Sequence, residues 1–214
     1  IEAISELLAD KPTISFHVDA VQALAKIPTE EYLTDRVDFA TFSSHKFHGV
    51  RGVGFVYIKS GKKIAPLLTG GGQERDYRST TENVAGIAAT AKALRLSIEK
   101  LDIFTSKTGQ MKEVIRQALL DYPDILVFSD EEDFAPHILT FGIKGVRGEV
   151  IVHAFEDYDI FISTTSACSS KAGKPAGTLI AMGVDKDKAQ SAVRLSLDLE
   201  NDMSQVEQFL TKLK

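Results

Sequence analysis

Asp38-Phe39-Ala40-Thr41-Phe42-Ser43-Ser44-His45-Lys46-Phe47-His48-Gly49 carries the chain from an apolar strand into a polar turn that closes on glycine. Asp38 to Phe42 has the composition of a short buried strand. The next strand-like run, Gly52 to Ile58, follows so closely that an antiparallel pair is expected. Upstream, Ile14 to Val18 is another apolar strand, running into Asp19-Ala20-Val21-Gln22. Strands alternate with helical segments, which predicts an α/β layer whose ligand groups stand at the carboxyl ends of parallel strands.

Working outward, Ile1, Ile4, Leu7 and Leu8 recur at helical spacing, so Ile1 to Ala9 reads as the end of an amphipathic helix stopped by Pro12. An alanine-rich helical pattern covers Asn83 to Leu101, with Asn83 or Thr81 as its cap, and a second runs from about Ser106 to Leu120. From Ile125 the order changes. Strands are expected over Ile125 to Phe128, His137 to Ile143, Ile160 to Ile162 and Ala192 to Leu197, with helices over Glu149 to Tyr158 and Met203 to Leu213. The division that follows is residues 1–100 as part of a larger α/β domain and residues 101–214 as a small α+β domain. Ser163 to Gly177, rich in Ser, Thr, Gly and Lys around Cys168, reads as a mobile loop.

A chain of 214 residues, 43% hydrophobic, can build real cores, and 25 basic against 30 acidic side chains leave a net charge of -5 with no long run of like charge. That argues against non-specific nucleic-acid binding. No apolar run approaches the roughly 20 residues of a membrane span, and Ile1 to Leu8 lacks the basic start and cleavage site of a signal peptide, so a cytoplasmic protein is expected. One cysteine, Cys168, excludes an internal disulfide framework and a multi-thiolate metal site. The chain starts in mid-helix without methionine, which reads as part of a larger enzyme.

The chemistry lies at the strand ends. A lysine such as Lys46 at the end of an apolar strand can form a Schiff base with an aldehyde cofactor, and a carboxylate such as Asp19 at the end of a neighbouring strand can hold a pyridine nitrogen protonated. Gln22 is placed to hydrogen-bond the ring hydroxyl, while Ser43 and His45 supply donors for a phosphate. These are the parts of a pyridoxal phosphate site. Alone, Asp19 is better read as a helix cap and Ser-Ser-His-Lys as a polar turn; their order and setting favour the cofactor. His17, taken as buried beside its strand, and His48 are assigned no chemistry. Gly70-Gly71-Gly72 permits close approaches, with Thr81 adding a hydroxyl to a phosphate site, although a flexible linker would look the same. Arg194, alternating with apolar neighbours in Ala192 to Leu197, can grip a carboxylate through two parallel hydrogen bonds, or can simply face solvent. Cys168 sits among small residues that expose a thiol for attack on sulfur.

Together the motifs His-Val-Asp-Ala-Val-Gln, Ser-Ser-His-Lys-Phe-His-Gly, Gly-Gly-Gly-Gln-Glu-Arg, Arg-Ser-Thr-Thr-Glu-Asn, Ser-Ala-Cys-Ser-Ser and Val-Arg-Leu-Ser closely resemble, in order, those of the cysteine desulfurases, in the class V aminotransferase group. The resemblance implies an incomplete fold type I large domain followed by a small α+β domain. It implies Lys46 as the Schiff-base lysine, Asp19 on the pyridine nitrogen, Gln22 on the ring oxygen, and Ser43 and His45 on the phosphate. Thr81 would reach the phosphate of the partner subunit's cofactor in a homodimer, Arg194 would bind the carboxylate of L-cysteine, and Cys168 would accept the sulfur. The products would be L-alanine and a persulfide, passed to an iron-sulfur scaffold or a tRNA-thiolation enzyme. The alternatives are another class V enzyme, such as an aminotransferase or selenocysteine lyase, and a non-catalytic module that docks sulfur acceptors.

Departures from the family pattern are equally legible. The amino-terminal portion, with a histidine stacked on the cofactor and further phosphate ligands, is absent from this chain, and weak cofactor binding by the chain alone is expected. Thr80 stands where glycine is usual before Thr81, with an altered turn as the expected result. Lys171 to Ala176 replaces a more acidic segment after Cys168.

Overall fold

The computed structural model describes residues 1–129, 134–164 and 176–213. They form two compact units, Ile1–Asp102 and Ile103–Lys214. Cys168 and most of its loop lie outside the described residues.

The first unit is built on a three-stranded sheet of order β1-β2-β3, with β1 at His17–Asp19, β2 at Phe39–Ser43 and β3 at Gly54–Ile58. β1 and β2 run parallel with Asp19 opposite Thr41, and β3 returns antiparallel with Gly54 opposite Ser43, as the short Gly-containing connection predicts. Along β2, Ala40 and Phe42 are buried and the residues between them are half-buried. Ala40 and Phe42 join Phe16, Val18, Leu24, Tyr32, Val37 and Phe47 in one core, where each large side chain contributes about 1.5–3 kcal/mol by leaving water. α2, Val84–Ile98, starts one residue after its cap, Asn83, whose Oδ1 accepts the Gly86 N–H at 3.0 Å. Asn83 rather than Thr81 is therefore the cap.

Four expectations are corrected here. β1 begins at His17, not Ile14, because the Arg36 guanidinium donates to the carbonyls of Leu8, Lys11 and Ile14 and holds that segment without a strand ladder. No helix starts at Asp19. Residues 20–27 are a series of turns in which Ala25 is left-handed at φ 58°, and the Asp19 Oδ1 accepts the Val21 N–H at 3.1 Å as a local turn bond. His17 is exposed, with Nε2 3.3 Å from Thr41 Oγ1. In α1, Glu2–Leu7, the predicted apolar stripe also stays at the surface: Ile4 and Leu7 are exposed, and only Ser5 is buried.

The second unit carries an antiparallel sheet of order β4-β5-β7-β6, with β4 at Ile125–Val127, β5 at Ile138–Ile143, β6 at Ser163–Thr164 and β7 at Val193–Ser196. α3, Leu101–Leu120, buries Phe104, Thr108, Met111, Ile115 and Leu119, a spacing of three or four residues that makes one face. It begins five residues before the expected Ser106. α4 at Gly148–Glu156 and α7 at Met203–Leu213 contribute Ile151, Phe155, Val206 and Phe209 to the same core as Leu139, Phe141 and Val193. Phe155 stacks on Phe209 at 4.9 Å. The strand expected at Ile160 to Ile162 is displaced to Ser163–Thr164, where the residues meet Arg194 and Val193 of β7. Two short helices, α5 at Gly177–Ala181 and α6 at Lys186–Gln190, precede β7. Among the described residues no helix is long and apolar enough to cross a membrane.

Candidate active site

Parallel pairing of β1 and β2 places their carboxyl ends side by side. Asp19 closes β1 opposite Thr41, and Ser43 closes β2 two residues further on, about 8 Å away by strand spacing and rise. Gln22 follows β1 in its turn, and His45 and Lys46 follow β2 in the tight turn Ser44–Phe47. One sheet edge thus carries a carboxylate, an amide, a hydroxyl, an imidazole and an amine. A parallel pair concentrates side chains from distant sequence in this way because successive strands end at the same edge.

The turn exposes His45 and leaves Lys46 half-buried because its flanks are pinned inward. Ser44 and Phe47 are 0% and 1% exposed. The Ser44 N–H donates to Val53 O at 3.0 Å, the Gly49 N–H donates to Ser44 O at 2.9 Å, and Ser97 Oγ donates to Phe47 O at 3.1 Å. His48 ends the turn in the left-handed region at φ 64°. Gly49 then passes so close to Ser44 that a Cβ there would lie 2.0 Å from its Oγ. Glycine is required by contact at this position, not by its own φ.

At the other end of β2, Asp38 is buried and receives the Phe16 N–H at 2.9 Å, Arg36 Nη1 at 2.9 Å and Lys62 Nζ at 3.0 Å. Burial alone would raise this carboxyl, but the hydrogen bonds from Phe16, Lys62 and Arg36 outweigh it and hold the pKa down at about 2. Sequence reading missed this clamp. The signal was present, since Asp38 shares strand parity with the core residues Ala40 and Phe42, an unusual register for a carboxylate.

Thr81 is exposed just before α2, with Thr80 Oγ1 donating to its carbonyl at 3.2 Å. Thr80 is not among the left-handed residues, so the absence of glycine costs no backbone strain there; Gly72 at φ 80°, Glu74, Arg75 and Asp76 are left-handed instead. Arg194 lies in the second unit on β7, half-buried, opposite Thr140 and Ser163. Its Nε is buried and makes no hydrogen bond among the described residues, an exception to the rule that buried polar groups are paired. Cys168 lies outside the described residues. Among those described, no group of His, Cys, Asp and Glu could hold a metal ion.

The donor set at the strand ends fits a phosphorylated aromatic aldehyde: an amine for the aldehyde, a carboxylate for a ring nitrogen, and hydroxyl and imidazole groups for the phosphate. An α/β sheet with that set defines the class of protein. The chain belongs to the aminotransferase class-V family, whose model matches residues 1–209, a family that depends on pyridoxal phosphate. A NifS/IcsS protein homolog of Lactobacillus delbrueckii subsp. bulgaricus is 51% identical over 98% of this chain and 55% of its own length. A cysteine desulfurase of Trichormus azollae is 37% identical over 92% of the chain and 49% of its own length. The solved structure of a NifS-like protein superposes with a TM-score of 0.85 at 35% identity, covering 97% of this chain and 53% of that one. The chain therefore spans about half the length of the relatives it matches, and its fold is that of NifS-like fold type I proteins.

Proposed function

We propose that the protein carrying this chain is a cysteine desulfurase that converts L-cysteine to L-alanine and passes the sulfur on from Cys168. The observation that carries the reading is the parallel β1/β2 pair, which sets Asp19 and Ser43 at one edge beside the Lys46 turn. Lys46 would hold the cofactor through its amine and would move a proton at the substrate's α-carbon. Pyridoxal phosphate, when bound, supplies an electron sink for that carbon. Asp19 holds the ring nitrogen protonated, Gln22 hydrogen-bonds the ring oxygen, and Ser43 and His45 hold the phosphate, with Thr81 serving the partner subunit's cofactor in a homodimer. Arg194 fixes the substrate carboxylate, a reading supported by its Nε, which is buried and makes no hydrogen bond among the described residues. The Cys168 thiolate attacks the substrate sulfur, the carbon–sulfur bond breaks, and the carbon fragment leaves as L-alanine after protonation. The persulfide then passes to an acceptor of iron-sulfur assembly or tRNA thiolation in the cytoplasm. Residues 1–100 serve as part of the cofactor domain and 101–214 as the small domain bearing the cysteine loop.

Intact-mass analysis of the full-length protein, loaded with pyridoxal phosphate and treated with L-cysteine, tests this directly. One added reducible sulfur, mapped to Cys168, is the expected result. Bound cofactor with Cys168 unmodified would instead indicate a transaminase or another lyase.

A further inference from the structure

We propose that Thr90 is a positioning residue for Lys46, its hydroxyl joining that of Ser44 to lock the lysine-bearing turn onto helix α2. The inference rests on the reading of Lys46 as the cofactor's lysine and adds what holds that lysine in place. Thr90 is buried, and its Oγ1 lies 2.8 Å from Ser44 Oγ and 2.7 Å from Gly86 O. A threonine bonded only to its own preceding turn would be ordinary helix behaviour. Here the contact with Ser44 satisfies a serine hydroxyl that is completely buried, so its loss would leave a polar group without water.

Seven residues on, at two helical turns and hence on the same face, Ser97 Oγ donates to Phe47 O. The two contacts bracket His45 and Lys46 on both sides. The same helix face is seated on the turn by close approach: a Cβ on Gly86 would lie 2.8 Å from Val53 Cγ2, and Val53 O is the acceptor for the Ser44 N–H. Ser44 Oγ is thus confined between Gly49 and Thr90. The hydroxyl contacts of Thr90 and Ser97 go to the turn or to their own helix, so each acts through the turn.

The test uses the full-length protein and its Thr90→Val, Thr90→Ser and Ser97→Ala variants. Each is incubated with pyridoxal phosphate and reduced with borohydride, and pyridoxyl incorporation at Lys46 is followed by peptide mapping. In parallel, the cofactor-free proteins are treated with a small acylating reagent, with the exposed Lys63 as internal reference. Thr90→Val should slow pyridoxyl incorporation and speed acylation of Lys46, each by about 2- to 10-fold, the range of one net hydrogen bond. Lys63 should stay unchanged, and Thr90→Ser, which keeps the hydroxyl, should restore both rates. Wild-type rates in Thr90→Val overturn the proposal. If wild-type protein takes up no pyridoxyl at Lys46, the cofactor reading fails, and the acylation rates alone then decide the lock in either direction. If Thr90→Val does not fold, Ser97→Ala is judged by the same two rates.

Discussion

Arg36 and Asp38, two residues apart, form an ion pair at 2.9 Å, the carboxylate buried and the guanidinium half-buried, that ties the chain before β1 to the start of β2. The guanidinium spends its other donors on backbone carbonyls of residues 8, 11 and 14, while the carboxylate also accepts from Phe16 and Lys62. Every member of the cluster is therefore satisfied, which is the condition under which a buried charge pair holds a fold together. Because the Asp38 pKa falls from 3.8 to about 2 on folding, its stabilisation is complete above pH 4 and is lost as pH falls through 2. The shift corresponds to about 2 kcal/mol. Urea unfolding at several acid pH values should show that loss in the wild type and a flatter profile, from a lower plateau, in Asp38→Asn. Parallel profiles would remove Asp38 as the source.

Gly49 and Gly72 make opposite demands, and alanine at each should separate them. At Gly72 the new Cβ would lie 2.9 Å from Asp76 Oδ1, the movable end of a side chain, so the cost comes from φ 80° and should be about 1–2 kcal/mol. At Gly49 the Cβ would meet Ser44 Oγ at 2.0 Å and Ser44 O at 3.0 Å, and a buried backbone cannot move aside cheaply. A larger cost, about 3 kcal/mol, is expected for Gly49→Ala, at the upper end of overpacking. Equal shifts in urea midpoint would contradict the contact argument.

The parallel edge holding Asp19, Ser43, His45 and Lys46 was legible because apolar runs of strand length ended in chemistry-bearing residues. The expected α/β class and the antiparallel β3 hold for the same reason. What escaped was set by contacts between distant residues. Ile14 is apolar enough for a strand, yet Arg36, far along the chain, takes its carbonyl. Gln22 sits at helical distance from Asp19, but the left-handed Ala25 interrupts any helix. Ser44 read as one more polar turn residue, and only packing shows that it faces inward against Thr90. Cys168 falls outside the described residues, so its reading remains that of the sequence.

Phe141 sits at 0% exposure in the second unit, on β5 and edge-on to Phe209 at 6.0 Å. Its truncation leaves a cavity that the surrounding sheet and helices cannot fill by moving. Phe141→Ala should cost about 3–5 kcal/mol. Leu126, on β4 and only half-buried, should cost less when cut to alanine. Thermal or urea unfolding of the two variants side by side checks the order, and a smaller loss for Phe141→Ala would mean the core closes around the gap.

Arg194 separates stability from ligand binding in a single substitution. Among the described residues its Nε is buried without a hydrogen bond, while its neighbours on β7, Val193 and Leu195, are core residues. Such a donor costs about 1–3 kcal/mol when nothing accepts from it. Arg194→Met keeps the length and apolar stem of the side chain and removes the unpaired nitrogen, so the variant should unfold at higher urea than the wild type. On the proposed function the same change removes a two-pronged grip on a carboxylate, and in the full-length protein the KM for L-cysteine should rise by roughly tenfold or more. Higher stability with an unchanged KM would show that the arginine is a structural burden with no hold on substrate. Lower stability would show that Arg194 is satisfied within the protein and is not held open for a ligand.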